Sequence, residues 1–324
     1  MKTAPILAAL LLTAPAALAQ TQPGKPAFAL PPESITVTGT RPSDETIRNF
    51  VKTRAAPTRV LGKMARWKRK ICPLTIGLGA NYAKFVTQRI RDVASAVGAP
   101  VNAEPCAPNI EVIFTTAPQG FLDRVRKTGP LFLGYFTSGS QADALSQVTH
   151  PIQAWYTTES IDYNGSGDVD RGQCNGSSSI NTLPLGIEGD VQSPQGAVTL
   201  NLPCATIAHA SGWRMSNGQD SGFYNALVVA EPAKLLDYEV GSLADYITML
   251  VLTQSASLDQ CQELPSISNL LAKGCSSVAL KITDGDLSYL RALYSIPSGR
   301  GMSVQINELQ YQMKKTLVTD KAAP

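Results

Sequence analysis

Histidine is scarce in this chain of 324 residues, which contains His150 and His209 and no other. Neither lies in a metal-binding motif, since His150 precedes Pro151 in an expected loop and His209, in ATIAHASG, is typical of an ordinary, partly buried histidine. A catalytic zinc site needs neutral imidazoles at a close spacing and a carboxylate that handles the water. The sequence therefore argues against zinc-peptidase chemistry.

Other common functional patterns are missing as well. The sequence has no CxxC pair, which argues against a cysteine-ligated metal cluster. Gly77-x-Gly79 lacks the third glycine of a phosphate-binding loop, and no stretch combines aromatic and basic residues as nucleic-acid surfaces do. After the first 20 residues, no apolar run reaches the length of about 20 that crosses a bilayer. With 16% charged and 44% hydrophobic residues, the composition is typical of a globular protein.

The N-terminus has the pattern of a secretory signal peptide. MKTAPILAALLLTAPAALAQ combines the positive Lys2, an apolar run from Ile6 to Leu12 and a small-x-small site at Ala17-Leu18-Ala19. We expect a signal peptide over residues 1–19 and a mature protein in the periplasm or outside the cell. Residues 20–65 are expected to form a flexible lead-in with a short strand and a helix, 66–315 a single globular domain, and 316–324 a tail.

Six cysteines in an exported chain indicate three disulfides. Fifteen connectivities are possible for six cysteines. Neighbour pairing is the simplest prediction, and it gives Cys72–Cys106, Cys174–Cys204 and Cys261–Cys275.

The apolar periodicity indicates an α+β fold. CPLTIGL, the amphipathic NYAKFVTQRIRDVASAVGA and NIEVIFTTAP predict a βαβ unit with parallel strands. LFLGYF, IQAWYTT and FYNALVVAE predict further strands. GSLADYITMLVLTQ then predicts a central helix, ITDGDLSYLRALY a helix capped by Thr283, and residues 303–315 a last amphipathic helix.

One acid, Asp245, lies near the start of the central helix, which is apolar nearly all round. A catalytic group or a metal ligand is one interpretation. The other is a capping box, in which Ser242 and Asp245 each accept the backbone N–H of the other. We favour the capping box, because it accounts for the charge without catalysis.

The order of elements resembles the zincin fold, and metzincins in particular. Pro265-Ser266-Ile267-Ser268-Asn269 is similar to their methionine turn, with Ser268 in the methionine position. The closing helix matches at the set Thr283, Asp286, Leu290, Leu293 and Tyr294. The resemblance covers roughly residues 67–296 and implies a mixed sheet, a central helix and a helical C-terminal part. The chain also resembles a group of exported proteins from sphingomonad-type bacteria, a resemblance that implies no function.

The chain departs from the zincin pattern at the active site itself. Alignment with the HExxH helix places Asp245 and Met249 where the two zinc-binding histidines stand, and Tyr246 where the general-base glutamate stands. We therefore expect a zincin-like scaffold with a degenerate active site.

A second candidate metal site is DYNGSGDVDRGQ, which resembles an EF-hand calcium loop. Two features depart from that pattern, because Gln173 replaces the bidentate glutamate and no helix precedes the loop. A polar turn between strands is the alternative interpretation. The candidate calcium ligands are Asp162, Asn164, Ser166, Asp168 and Asp170.

The stretch from Lys52 to Lys70 contains eight basic residues and no acid. It could bind an acidic envelope component, or it could be a solvated helix and loop, which we favour.

The function that these features favour is a non-catalytic binding or structural role in the envelope. One alternative is a carboxylate-based hydrolase of envelope material that uses acids among Asp220, Asp237, Glu239 and Asp245. Another is a calcium-stabilised envelope module. GQDSG, residues 218–222, lacks the arrangement of a serine-hydrolase motif.

Overall fold

The computed structural model describes residues 42–170, 179–184, 197–202 and 218–319. The helices are α1 (Asp44–Arg54), α2 (Ala80–Ala96), α3 (Pro118–Thr128), α4 (Gly139–Leu145), α5 (Val240–Leu252), α6 (Asp284–Ser295) and α7 (Met302–Thr319). The strands are β1 (Pro73–Ile76), β2 (Ile110–Phe114), β3 (Ile152–Ile161), β4 (Gly167–Val169), β5 (Ser179–Pro184), β6 (Ala197–Leu202) and β7 (Asp220–Ala230). Short 3-10 helices span Pro130–Leu133, Pro232–Lys234 and Ile267–Asn269.

Five strands form a mixed sheet in the order β1-β2-β7-β3-β4. β1, β2 and β7 are parallel, whereas β3 is antiparallel to both β7 and β4. β5 and β6 pair with each other in a separate antiparallel sheet. The predicted α+β class, the mixed sheet and the parallel β1-α2-β2 unit are confirmed.

The central part of the sheet is buried on both faces, because helices cover each side. Every residue of β2 is buried, and its side chains alternate between two cores. Ile110, Val112 and Phe114 pack in the larger core with apolar residues of α1, α2, α5, α6 and α7. Ile113 packs in the smaller core with α3 and the 3-10 helix at Pro130–Leu133.

The prediction of a strand at LFLGYF is wrong, since its first residues lie in the 3-10 helix Pro130–Leu133. Gly129 and Pro130 begin this turn and Gly134, with φ of 89°, ends it. Glycine is required there, because a Cβ on Gly134 would lie 2.6 Å from the carbonyl oxygen of Tyr156. The consecutive Leu131, Phe132 and Leu133 are all buried in the smaller core. A short apolar run of this kind does not distinguish a buried strand from another buried segment.

α1 is an integral part of the larger core. Ser43 caps its N-terminus by accepting from the Thr46 N–H, and Ile47, Phe50 and Val51 are buried. This helix and the segment that follows it belong to the same compact unit as the other described residues. The strand predicted at SITVTGTR lies outside the described residues.

Two of the three predicted disulfides are present. Cys72 is bonded to Cys106 at the beginning of β1, and Cys261 is bonded to Cys275 around the turn that contains Ser266. The predicted Cys174–Cys204 bond falls on residues outside the described part of the chain.

The central helix α5 is buried nearly all round, as predicted, but the predicted capping box is wrong. The Ser242 hydroxyl donates to the carbonyl of Leu280 at 2.6 Å. One oxygen of Asp245 is bonded to the guanidinium of Arg89 on α2, and the other accepts the Ile282 N–H at 2.8 Å. Asp245 thus joins three segments of the chain. Its two tertiary partners take the place of the local N-cap interaction that the sequence predicted.

The C-terminal end of α5 is held by three aromatic side chains. The last carbonyl groups of a helix have no partner within it. Here the Tyr156 hydroxyl donates to Leu250, the Trp67 indole N–H to Val251 and the Tyr294 hydroxyl to Leu252, at 2.8, 2.7 and 2.9 Å. These bonds connect α5 to β3, to the segment after α1 and to α6.

An acid that the sequence analysis missed lies in the middle of the sheet. Glu111 on β2 is fully buried, and both of its oxygens accept from the Asn225 side-chain amide on β7, at 3.1 and 2.8 Å. Burial raises the pKa of Glu111 to about 8, although the Asn225 amide opposes the shift. Glu111 is therefore mostly protonated in the folded protein at neutral pH.

Glu111→Gln should stabilise the protein at neutral and alkaline pH. Between the usual glutamate pKa and about 8, the folded state binds more protons than the unfolded state, so wild-type stability falls as pH rises through this window. The variant has no proton to lose at this position. Its free energy of unfolding should therefore exceed that of wild type by a few kcal/mol above pH ~8, at roughly 1.4 kcal/mol per unit of pKa shift. Below pH ~4.5 the two proteins should differ by almost nothing. Urea unfolding across this range measures the difference. The exposed Glu45→Gln is the control, and parallel profiles for Glu111→Gln and wild type would contradict the prediction.

Asp245→Ala should destabilise the protein by about 3 kcal/mol, because the Ile282 N–H and the Arg89 guanidinium both lose their acceptor. Asp245→Asn should cost less, since an amide oxygen still accepts one of these donors. Urea unfolding at neutral pH gives the free energies. The matched control is Asp143→Ala, which breaks the exposed Arg126–Asp143 ion pair on α3 and α4 and should change stability little. Equal losses for Asp245→Ala and Asp143→Ala would show that the buried pair has no special role.

Candidate functional site

The three residues of the predicted degenerate active site point to different places. Asp245 faces α2, as described above, and Met249 is buried in the larger core. Tyr246 is also buried, and it lines a small cavity together with Ser268, the residue in the expected methionine position. The structure thus brings Tyr246 and Ser268 together, and it does not bring Asp245 to them.

The basic stretch from Lys52 to Lys70 is partly an interior segment. Three of its eight basic residues, Arg54, Lys63 and Arg66, are buried. Lys63 donates to the Gln219 carbonyl, and Trp67 anchors the segment in the core through its bond to α5. Both interpretations of this stretch treated it as exposed, and for these residues that is wrong. The predicted acidic partner therefore depends on the exposed residues of the stretch, such as Lys52, Arg59 and Lys70.

The end of this stretch lines a cleft of about 540 Å³. Lys68 and Arg69 form one side, β3 and β7 contribute Glu159 and Asp220, and Ser298 follows α6. The hairpin between β3 and β4 supplies Asp162, Tyr163 and Gly165 at the rim. A cleft of this size can hold a small organic ligand.

Glu159 lies at the bottom of the cleft, where its side chain is 1% exposed. Its two oxygens accept from Arg69 Nε at 2.9 Å, and Arg69 Nη2 lies 2.8 Å from Oε2. Glycines on both neighbouring strands leave room for it, since a Cβ on Gly167 would lie 2.5 Å from Oε2 and one on Gly222 3.1 Å from Cγ. Burial raises the pKa of Glu159 above its usual range, although Arg69 opposes the shift.

Asp220, at the start of β7, has the opposite electrostatic character. Its Oδ1 accepts the Gly299 N–H at 2.7 Å, and its Oδ2 lies 3.1 Å from Lys68 Nζ and 3.9 Å from Arg66 Nη2. Burial alone would raise the pKa of Asp220, but the Gly299 N–H, the Ser298 hydroxyl and Lys68 outweigh it and lower the pKa. The pKa of Lys68 is itself lowered by burial and by Arg66, against the effect of Asp220.

The cations of this cleft are more accessible than the acids that they pair with. The Lys68 and Arg69 side chains are 29% and 49% exposed, whereas those of Asp220 and Glu159 are 9% and 1% exposed. At these two ion pairs, a ligand that enters the cleft therefore meets the ammonium and guanidinium groups before it meets their carboxylate partners. Such an arrangement suits a ligand that carries a carboxylate or phosphate.

The predicted calcium ligands do not converge on one point. Asp162 Oδ1 accepts the backbone N–H groups of Asn164 and Ser166, both at 2.9 Å, within the β3–β4 hairpin. Asp170 accepts from the hydroxyls of Thr158 and Ser160 on β3, at 2.6 and 2.7 Å. Asp168 lies between them on β4. Across the described ranges, no group of three or more His, Cys, Asp or Glu could hold a metal ion. The geometry favours the polar turn that was the alternative interpretation.

The remaining candidate residues lie elsewhere. Asp237 and Glu239 are exposed ahead of α5 and do not line the cleft that contains Asp220. His150 donates to or accepts from Thr149 and lies 3.1 Å from the exposed Asp259, whereas His209 lies outside the described residues.

Within the described segments, no helix has the length and apolar character needed to cross a membrane.

Sequence reasoning missed Glu159, Lys68 and Arg69 as members of one site. The signal for Glu159 was an acid inside the predicted strand IQAWYTTES, where a charge needs a partner if the strand is buried. Nothing in the local sequence identifies that partner, since Arg69 is 90 residues away along the chain.

Comparison with known proteins adds no relative: no protein-family model, no curated protein and no solved structure matches the chain significantly.

Proposed function

We propose that this protein is exported to the cell envelope and acts there by binding rather than by catalysis, with the cleft between β3, β7 and the β3–β4 hairpin as its ligand site. The observation that carries the proposal is the pairing of Glu159 and Asp220, two of the three acids that line the cleft, with cations that are more exposed than these two acids. The signal-peptide pattern of residues 1–19 and the two disulfides support export.

The scaffold we propose is that of a zincin that has lost its active site. The strand β7, the central helix α5, the turn around Ser266 and the capped helix α6 follow one another in the order of the resemblance. At the positions of the metal ligands and the base, Asp245 is bonded to Arg89 while Met249 and Tyr246 are buried. At the positions where a protease would bind zinc, these side chains make contacts within the protein instead. This supports a role in binding rather than catalysis.

The ligand class that fits the cleft is a carboxylate-bearing fragment of envelope glycan and peptide. Lys68 and Arg69 offer donors to its carboxylates. Tyr163 at the rim is 64% exposed, and an exposed aromatic ring of this kind can pack against the face of a sugar.

Soluble muropeptides should bind to the full-length mature protein, and Tyr163→Ala should weaken the binding roughly tenfold, which corresponds to about 1.4 kcal/mol. Isothermal titration calorimetry measures both affinities. The matched control is Tyr311→Ala, because Tyr311 on α7 is 61% exposed and does not line the cleft. Absence of binding by wild type, or equal losses in the two variants, would refute the proposal.

A carboxylate-based hydrolase is the second candidate function, and the opposite pKa shifts of Glu159 and Asp220 in one cleft favour it. A general acid with a raised pKa beside an ionised carboxylate is the pattern of glycoside hydrolases. The ion pairs argue against it, because each carboxylate is already bonded to a cation that a reaction would have to displace.

We expect purified wild-type protein to release no soluble sugar or peptide from cell-wall glycan above the level of a blank. Glu159→Gln and Asp220→Asn test the alternative with the same substrate and readout. If wild type released product and both substitutions abolished it while Asp237→Asn did not, the protein would be an enzyme and the binding proposal would fail.

A further inference from the structure

Arg54, the last residue of α1, is 1% exposed and is not among the residues that line the cleft. Its guanidinium carbon is 5.3 Å from the ring centroids of both Phe50 and Tyr289. Nη1 donates to the hydroxyls of Ser266 and Ser268, at 3.3 and 2.6 Å. An arginine remains charged even when buried, so its charge needs compensation inside the protein.

Within the described residues, the positive charge of Arg54 is only partly compensated. Asp286 Oδ1 lies 3.9 Å from Arg54 Nη1, beyond hydrogen-bond distance. The Asp286 carboxylate is bonded instead to the Ser266 hydroxyl, the Ile267 N–H and both the N–H and hydroxyl of Thr283. Within the described residues, Arg54 Nε and Nη2 are buried and have no acceptor. Buried donors without an acceptor are uncommon in folded proteins, and a bound water or ion beside them is one physical explanation.

A small, largely enclosed cavity of about 10 Å³ adjoins Arg54 and has room for no more than one water molecule or one monatomic ion. Polar side chains with donor groups line it, and no acid is among the lining residues found in the described chain. The donors belong to Arg54, Tyr246, Ser255, Ser257, Gln262 and Ser268. Ser257 lies at an exposed position, so the cavity is close to solvent.

We propose that this cavity binds a single halide ion, with chloride as the physiological species. A halide accepts several hydrogen bonds at once and needs no acceptor in return, which suits a cavity lined by Arg54, whose Nε and Nη2 have no acceptor among the described residues, and by other side chains with donor groups. It also brings a negative charge to Arg54, which a water molecule does not. The ion would join α1, α5 and the turn around Ser266, three segments that meet at this cavity.

Crystals of the full mature protein soaked in sodium bromide test the site directly. We expect an anomalous difference peak in the cavity, in contact with the Arg54 guanidinium. A water molecule there, with no anomalous signal at the bromide edge, would overturn the proposal.

Thermal unfolding tests the same site in solution. With sodium chloride the melting temperature should rise saturably, by about 2–5 °C, relative to sodium gluconate at equal ionic strength, because a ligand that binds only the folded state stabilises it. Identical curves in the two salts would overturn the proposal.

Arg54→Met removes the site but also removes core contacts, so Tyr246→Phe is the more informative variant. It deletes one donor of the cavity wall and keeps the ring, and it should reduce the apparent chloride affinity roughly tenfold. Tyr311→Phe on the exposed face of α7 is the control and should keep the wild-type chloride response. Equal responses of Tyr246→Phe and wild type would contradict a halide at this cavity.

Discussion

The pairing of buried carboxylates with the basic segment after α1 is the constraint on which much of this structure depends. A carboxylate or guanidinium group that leaves water without a partner costs several kcal/mol, so each buried charge must meet its opposite. Trp67 fixes the segment against α5, and this places Arg66 and Lys68 beside Asp220 and Arg69 beside Glu159. Three of the eight basic residues of the stretch are therefore the complement of acids on β3 and β7, and the cleft is the place where these ion pairs reach the surface.

The parts of the fold that local patterns determine could be predicted from the sequence. The alternation in NIEVIF, the amphipathic stretch before it and the Thr283 cap each depend on residues that are close together in the chain, and the structure has all three. Local patterns failed where a distant group competed for the same side chain. Ser242 and Asp245 have the spacing of a capping box, but they bond to the Leu280 carbonyl and to Arg89 instead. The strand prediction for LFLGYF was wrong because a buried apolar run is compatible with a 3-10 turn as well as with a strand.

The candidate site could not be predicted, because its partners are far apart in sequence. Arg69 and Glu159 are separated by 90 residues, Lys63 and Gln219 by 156, and Arg54 and Ser266 by 212. No spacing rule connects such residues, and only the tertiary fold brings them together. The acids on the strands and the clustered cations were visible in the sequence as two separate anomalies. Only the folded structure, in which β7 lies between β2 and β3, shows that the acids and the cations neutralise each other.

The surroundings of α5 show how a buried helix is held in place by distant parts of the chain. Its C-terminal carbonyls are occupied by Trp67, Tyr156 and Tyr294, and Asp245 is bonded to α2 and to the chain before α6. A polar residue introduced on the Tyr246 side would meet Arg54 and the serine hydroxyls rather than an open cleft. Histidines introduced at 245 and 249 would therefore remove the Arg89 pair without opening a path for a substrate.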